Sequence, residues 1–364
     1  MKAAVFHAVK QPLTIEDIDI DQPGPQEILV RTAASGVCHS DLHYVEGLYP
    51  LDPPVNAQPA VLGHEAAGIV EAVGSQVTEF KPGDRVIACL SVYCGNCERC
   101  LTGHPNLCQD RPTRKPDEKP RLSWKGKRLT QLANMGSYAD KMLLHQNGAV
   151  KITQNIGLDH AALISCGVTT GVGAVLNTAK IEAGCTVAVF GLGGVGLAAV
   201  QGAKIGGART IIAVDINERK LKTALDLGAT HVVDSSSHDP VESIIKLTGG
   251  GVDYSFEAVG AKTTAEQAYG CLREGGTATV IGMIPVGTKV EIEGRTLLRE
   301  RKLQGSSMGS NRFKFDMPKY VDFYLQGRLL LDEMITRRMR LKDINEAFRA
   351  MKAGEVARTV LMFD

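Results

Sequence analysis

The sequence predicts an α/β protein in which a doubly wound, parallel-sheet domain interrupts a β-rich one. Three observations carry this. Short apolar or alternating runs fill the first part of the chain; from about Gly171 strand-like and helix-like stretches alternate; and after about Ser310 that rhythm fades before one last strand. Alternation of strand and helix builds a parallel sheet covered on both faces. At 364 residues the chain has room for two domains, each with a full core.

Taken in order, AAVFHA, EILVRTAASGV and AAGIVEAVG read as strands set off by Pro and Gly, and KPGDRVIACL as a turn running into a strand. The stretch from Arg111 to Arg128 is charged and contains prolines, which predicts an exposed loop. CTVAVFGLGGVG is an apolar strand entering a glycine turn, and LAAVQGAKIGG offers helix formers behind it. TIIAVDI, HVVD, VDYSFEAVG and GTATVIGM supply further strands, with helical stretches such as ERKLKTALDLG between them. FKFDMPKYVDFYLQG and LKDINEAFRAMKAG read as helices, and ARTVLMFD as the closing strand. The expected division is residues 1–167 with 309–364 for the β-rich domain and 168–308 for the inserted one. There is no internal repeat.

Composition narrows the partners. Hydrophobic residues at 44% and charged residues at 22% are ordinary for a soluble protein. Forty-one Lys plus Arg balance forty Asp plus Glu, so nothing points to a nucleic-acid or membrane-surface partner. MKAAVFHAVK lacks the apolar core of a signal peptide and no later run approaches a membrane span, which makes the cytoplasm the expected address.

Of nine cysteines, five fall between Cys89 and Cys108. In a reducing compartment such a cluster favours metal binding over disulfides. Cys94, Cys97, Cys100 and Cys108 form CxxCxxCx7C, whose short gaps let four thiolates converge in the closed tetrahedral shell of a structural zinc. An iron–sulfur cluster is the rival, but Gln109 follows the last cysteine where the bacterial ferredoxin run has proline.

The turn GLGGVG places glycines at Gly191, Gly193, Gly194 and Gly196 around Val195, after an apolar strand and before a helix. That context turns a weak pattern into a dinucleotide-binding fingerprint, with the pyrophosphate expected at the helix N-terminus. Asp215 ends the next strand, where an acid binds the ribose hydroxyls and repels a 2′-phosphate, favouring NAD over NADP. Arg219 and Lys220 are nearby cations that could partly accept that phosphate.

Three further passages look like ligand-bearing turns: GVCHSDLH (Gly36 to His43), GHEAAG (Gly63 to Gly68) and SCGVTTG (Ser165 to Gly171). Each alone is weak, since a lone Cys is usually a small buried hydrophobe. Together with the four-cysteine lobe, KPGDRVI, VFGLGGVG and RTVL, they occur in the order seen in zinc-dependent medium-chain alcohol dehydrogenases, which the chain resembles from Met1 to Asp364.

The resemblance implies a Rossmann doubly wound parallel-sheet domain inserted in a β-rich GroES-like catalytic domain, with substrate and nicotinamide meeting in the cleft between them. It implies Cys38, His64 and Cys166 as ligands of a catalytic zinc with one open position, the Cys₂His set known for this family. Glu65 matches a residue near the metal, either a transient ligand or a buried carboxylate behind it. Ser40 matches the hydroxyl that contacts the substrate oxygen, and His43 the imidazole at the solvent end of the proton relay. His39 and Arg358 match contacts to the cofactor pyrophosphate, Lys220 a contact to the adenosine ribose, and Thr170 and Val195 residues that hold the nicotinamide. Leu90 matches a pocket-lining position where several relatives carry an aromatic ring.

Cys166 separates the chain from polyol dehydrogenases, which generally have Glu there, and the metal ligands separate it from zinc-free quinone reductases. Two stretches depart from the animal enzymes: LYPLDPPVNAQPAV, which is longer, and the Arg111–Arg128 loop, whose Arg111 and Arg114 either meet a glutathione-type carboxylate or form a solvated basic patch. The expected reaction is reversible hydride transfer between a primary or secondary alcohol and NAD, giving aldehyde or ketone, with two zincs per chain in a homodimer or homotetramer. The alternatives are an NADP-dependent aldehyde reductase, a nicotinoprotein that never releases NAD, and a nucleotide-binding protein without turnover.

Overall fold

A computed structural model of the chain describes residues 1–49 and 59–364. Most of LYPLDPPVNAQPAV, residues 50–58, lies outside the described residues. The chain divides into two compact units: Met1–Cys166 with Arg312–Leu325 and Ile335–Asp364, and Gly167–Asn311 with Gln326–Met334.

The first unit is organised around the long strand Glu27–Gly36. It runs antiparallel to Ala66–Val73, which in turn pairs with Arg85–Ala88. Lys141–His145 pairs with its first half, and the chain's closing strand Arg358–Met362 with its last residues, Val360 opposite Gly36. That late pairing is why the inserted domain interrupts this one rather than following it. Ile28, Val30, Val70, Met142 and Leu144 fill one core of the sheet, where burial of each large side chain contributes about 1.5–3 kcal/mol. A second, six-stranded sheet begins at Lys2–Phe6 and includes the hairpin Leu122–Trp124/Lys127–Gln131.

Residues 111–120 are irregular and mostly exposed, as expected of a loop, but the hairpin corrects that expectation for the rest of Arg111–Arg128. Lys125 and Gly126 turn the chain with positive φ of 50° and 73°, and Leu122 enters the core opposite Leu129. Ahead of it, Arg114 donates to both oxygens of Glu27 at 3.1 and 3.2 Å, and the buried Arg121 donates to Glu27 at 2.7 Å. Two arginines of the segment, Arg114 and Arg121, are thus anchored on one buried carboxylate.

The second unit holds six parallel strands: Thr186–Phe190, Thr210–Asp215, His231–Asp234, Val252–Glu257, Leu272–Val280 and Lys302–Gly305. Counted along the chain, their spatial order is third, second, first, fourth, fifth, sixth, the doubly wound dinucleotide order with its reversal beside the first strand. Every residue of that first strand is buried, so its continuous apolar run needs no alternation. Helix starts are set by side chains: Asn217 accepts the Arg219 and Lys220 amides, and Asp239 the Val241 and Glu242 amides ahead of a first-turn proline.

The segment Gln326–Met334 belongs to this unit, not to the first as 309–364 was expected to. The Gln201 side chain donates to the Leu330 carbonyl and accepts its amide, at 3.0 and 2.6 Å, while Leu329 and Leu331 are fully buried. The helical run Leu158–Ala179 is long and apolar enough to cross a membrane, yet 83% of its apolar window is buried in the protein, as in a core helix.

Candidate functional site

Three distant passages converge in the first unit. Gly36 donates its amide to the Glu65 carbonyl at 2.7 Å, which lays GVCHSDLH against GHEAAG. Cys38 is the N-cap of the helix His39–Glu46, and His64 follows Gly63, held at a positive φ of 90°. Cys166 lies in the π-helical stretch Ile164–Val168, anchored where Ser165 donates to the Ala88 carbonyl at 2.5 Å. Single π turns inside helices re-aim side chains and recur at functional sites. The donor atoms of Cys38, His64 and Cys166 all lie within 4.8 Å of one another, and all three residues are buried.

Their protonation is coupled. The Cys166 thiol donating to Cys38 holds the Cys38 pKa well below the thiol range against the effect of burial, with the His64 charge helping. Cys166 is pushed well above it by the same shared hydrogen bond and by burial. Burial opposes a charge on His64, but Asp41 and Cys38 outweigh it and raise its pKa well above the ordinary imidazole value. Two thiols and an imidazole sharing protons in a buried pocket form the donor set of a borderline-soft dication, and the residues present fit zinc.

The four cysteines of the lobe form the second group. The sulfurs of Cys94, Cys97, Cys100 and Cys108 also lie within 4.8 Å of one another. Gly95 turns the chain at a φ of 85°, and the amides of Asn96 and Cys97 point at the Cys94 sulfur, 3.4 and 3.3 Å away. Backbone amides of Gln109 and Cys100 lower the Cys97 thiol to about 6, whereas burial holds Cys100 up at about 12. Cys89, the fifth cysteine of the cluster, is fully buried with its thiol at about 12 and stays outside the group.

Glu65 and Arg358 are both buried, and Arg358 Nη2 donates to Glu65 Oε2 at 2.7 Å. Arg358 also donates to the Val37 carbonyl at 3.4 Å. The Arg358 guanidinium is thus engaged with the carboxylate adjoining His64. Ser40 Oγ lies 3.7 Å from Cys38 Sγ. His43, three residues further along the same helix, shares the face of Ser40. His39 is exposed, and Leu90 is half-buried against the sheet core. Arg114 is engaged with Asp21 and Glu27, and Arg111 with the Asn106 carbonyl, so a glutathione-type carboxylate would have to displace those partners.

In the second unit the glycine turn joins the strand Thr186–Phe190 to the helix Gly194–Ile205. Gly191 has a φ of 87°, and a Cβ on Gly196 would lie 1.7 Å from the Gly191 carbonyl oxygen, so no side chain fits there. Gly193 is different: a Cβ there would meet no protein atom. Open space over the N-cap of a helix with no side chain capping it is the cradle a pyrophosphate needs. Asp215, 9% exposed, accepts the Leu192 amide at 2.7 Å and faces Lys220 Nζ at 4.0 Å. Thr170, buried, donates to the Met308 sulfur at 3.2 Å, and Val195 is half-buried in the helix's first turn.

Sequence reasoning missed Asp41 and Tyr138, which lie behind His64. The acid inside CHSDLH was the available signal; nothing in the sequence marked Tyr138.

Residues 24–154 match the model of the alcohol dehydrogenase GroES-like domain, and residues 194–326 that of the zinc-binding dehydrogenase. The chain is 40% identical to alcohol dehydrogenase class-3 of Drosophila melanogaster and 38% to that of Oryza sativa subsp. japonica, over 100% of this chain and 97% of each relative. The crystal structure of benzyl alcohol dehydrogenase from Acinetobacter calcoaceticus superposes with a TM-score of 0.93 at 32% identity, covering 100% of this chain and 99% of that one. The chain belongs to the zinc-dependent medium-chain alcohol dehydrogenase family.

Proposed function

We propose that the protein is an NAD-linked alcohol dehydrogenase that interconverts a primary or secondary alcohol with its aldehyde or ketone. The observation that carries this reading is the buried convergence of Cys38, His64 and Cys166 from three distant stretches. These residues would hold a catalytic zinc, and the Cys94–Cys108 lobe a structural one. When bound at the first of these sites, the metal would supply Lewis-acid polarisation of an alcohol oxygen and the nicotinamide a hydride acceptor.

The chain's own groups do the rest. Two cysteine sulfurs bring the negative charge that balances a dication, and His64, its Nδ1 turned to Asp41 at 3.2 Å, offers Nε2. Ser40 accepts the alcohol proton through its hydroxyl and His43 passes it towards solvent. The Gly191–Gly196 turn receives the pyrophosphate, and the Asp215 carboxylate selects a free ribose hydroxyl over a 2′-phosphate. Leu90, in place of an aromatic ring, leaves room for a bulky alcohol, so benzyl alcohol belongs in the substrate panel alongside short aliphatic alcohols. A cluster of cysteines read as metal ligands supports a reducing, cytoplasmic setting.

The test is metal analysis coupled to NADH production across that panel, for the wild type and Cys166→Ala. Two zincs in the wild type, one in the variant and loss of turnover are the expected results. Two zincs and full activity retained in Cys166→Ala would overturn the ligand assignment. A preference for NADP would overturn the role given to Asp215.

A further inference from the structure

Behind His64 runs a buried polar chain. Asp41, fully buried in the first turn of the helix that Cys38 caps, accepts the Gly63 amide on Oδ1 at 2.9 Å, and the same oxygen faces His64 Nδ1 at 3.2 Å. Its other oxygen accepts the Tyr138 hydroxyl at 2.8 Å. A carboxylate takes donors only, so the imidazole turns an N–H towards it and keeps the other nitrogen for a ligand.

Tyr138 is held in place without its hydroxyl. It is fully buried; its amide donates to the Leu62 carbonyl at 3.0 Å and its carbonyl accepts the Ala4 amide at 2.8 Å. Its ring meets Phe348 edge-on at 6.2 Å. Gly63 packs so closely that a Cβ there would lie 2.7 Å from the tyrosine ring, which presses the residue before His64 onto the phenol. Burial, reinforced by the Asp41 charge, pushes the phenol well above its usual pKa, so the hydroxyl keeps its proton and donates. Phenylalanine would satisfy the backbone pairing and the packing. The hydroxyl answers to Asp41, with the Gly36 carbonyl a longer second acceptor at 3.4 Å.

We propose that Tyr138 is a positioning residue for the metal site: its hydroxyl fixes the Asp41 carboxylate that orients His64, and sets how strongly that imidazole donates to the metal. The proposal rests on the reading of Cys38, His64 and Cys166 as zinc ligands. Removing the hydroxyl leaves a buried carboxylate oxygen without its donor, which frees Asp41 to turn or to draw harder on the His64 proton. Outer partners of ligating histidines are typically worth about 10–100-fold in metal affinity, and a group one bond further out belongs at the low end, about tenfold.

The experiment follows release of zinc to a chelator from the full-length protein, with the lobe zinc as internal reference, and the absorption bands of protein carrying cobalt(II) at the three-residue site. In Tyr138→Phe, release from that site should quicken about tenfold and the cobalt bands shift, while the lobe zinc leaves at its wild-type rate. A ring-fluorinated tyrosine at the same position keeps the packing and strengthens the donor; it should slow release and move the bands the other way. Phe348→Leu, which loosens the packing but keeps the hydroxyl, should lower stability and change neither readout. Wild-type release and spectrum in Tyr138→Phe would overturn the proposal, as would equal changes in Phe348→Leu. A wild type holding zinc only in the lobe would sink the ligand reading itself.

Discussion

Among single residues, Asp215 carries the sharpest consequence. A hydrogen bond to a charged group contributes about 1.5–3 kcal/mol. Asp215→Ala should therefore weaken NAD binding by one to two orders of magnitude, roughly, and narrow the preference over NADP, as read from the two KM values. Its amide bond to Leu192 predicts a second effect, a loosened glycine turn. The place of Asp215 at the end of its strand was legible, because an apolar run after the glycine turn points to it. The cysteine and histidine donors were legible through their passages and their order along the chain. Asp41 and Tyr138 were not. A buried side chain's partner comes from a distant stretch, and neither helical nor strand periodicity records which hydroxyl reaches which carboxylate.

At the scale of elements, the segment from Arg111 to Arg128 depends on Glu27. Burial opposes ionisation of this carboxylate, but hydrogen bonds from Arg114 and the charge of Arg121 lower its pKa below the usual glutamate value. A depressed pKa means that the stabilisation is fully present above the usual glutamate value of 4.5 and is lost as pH falls through the folded-state value. Acidification should therefore release this segment, and the fluorescence of Trp124, the chain's single tryptophan, should report it. Glu27→Gln should remove that acid transition and cost about 3–5 kcal/mol at neutral pH, because it leaves buried Arg121 without its counter-charge. Chemical denaturation followed at both pH values checks this. Five of the six parallel strands were readable as short apolar runs; the sixth, Lys302–Gly305, was not, because KLQG is mostly polar and only partly buried. The strand Leu122–Trp124 was not, because three residues inside a charged, Pro-containing stretch carry no period.

For the molecule as a whole, the sheet of the second unit ends at Lys302–Gly305, an edge strand. Nearby in sequence, Leu297 and Leu298 are 50% and 85% exposed. Open edges and exposed leucines each favour association. Leu298→Asp tests this surface in sedimentation: a shift towards monomer would place a contact between copies at Leu298, and an unchanged sedimentation coefficient would place none there. The two-domain plan was legible in the change of rhythm at about Gly171. The placement of Gln326–Met334 was not, because it rests on one glutamine side chain bonding both ways to a leucine backbone.

The pairing of Arg358–Met362 with Glu27–Gly36 also dictates an order of events during synthesis. The inserted domain's strands have all left the ribosome well before Met362 is made, so that domain can close first. The first unit's sheet waits with the end of its long strand uncovered until Arg358–Met362 arrives. A nascent chain that has released Lys302–Gly305 but not yet Arg358–Met362 thus carries a largely formed parallel sheet and an unpaired β edge, the form in which nascent chains aggregate or recruit chaperones.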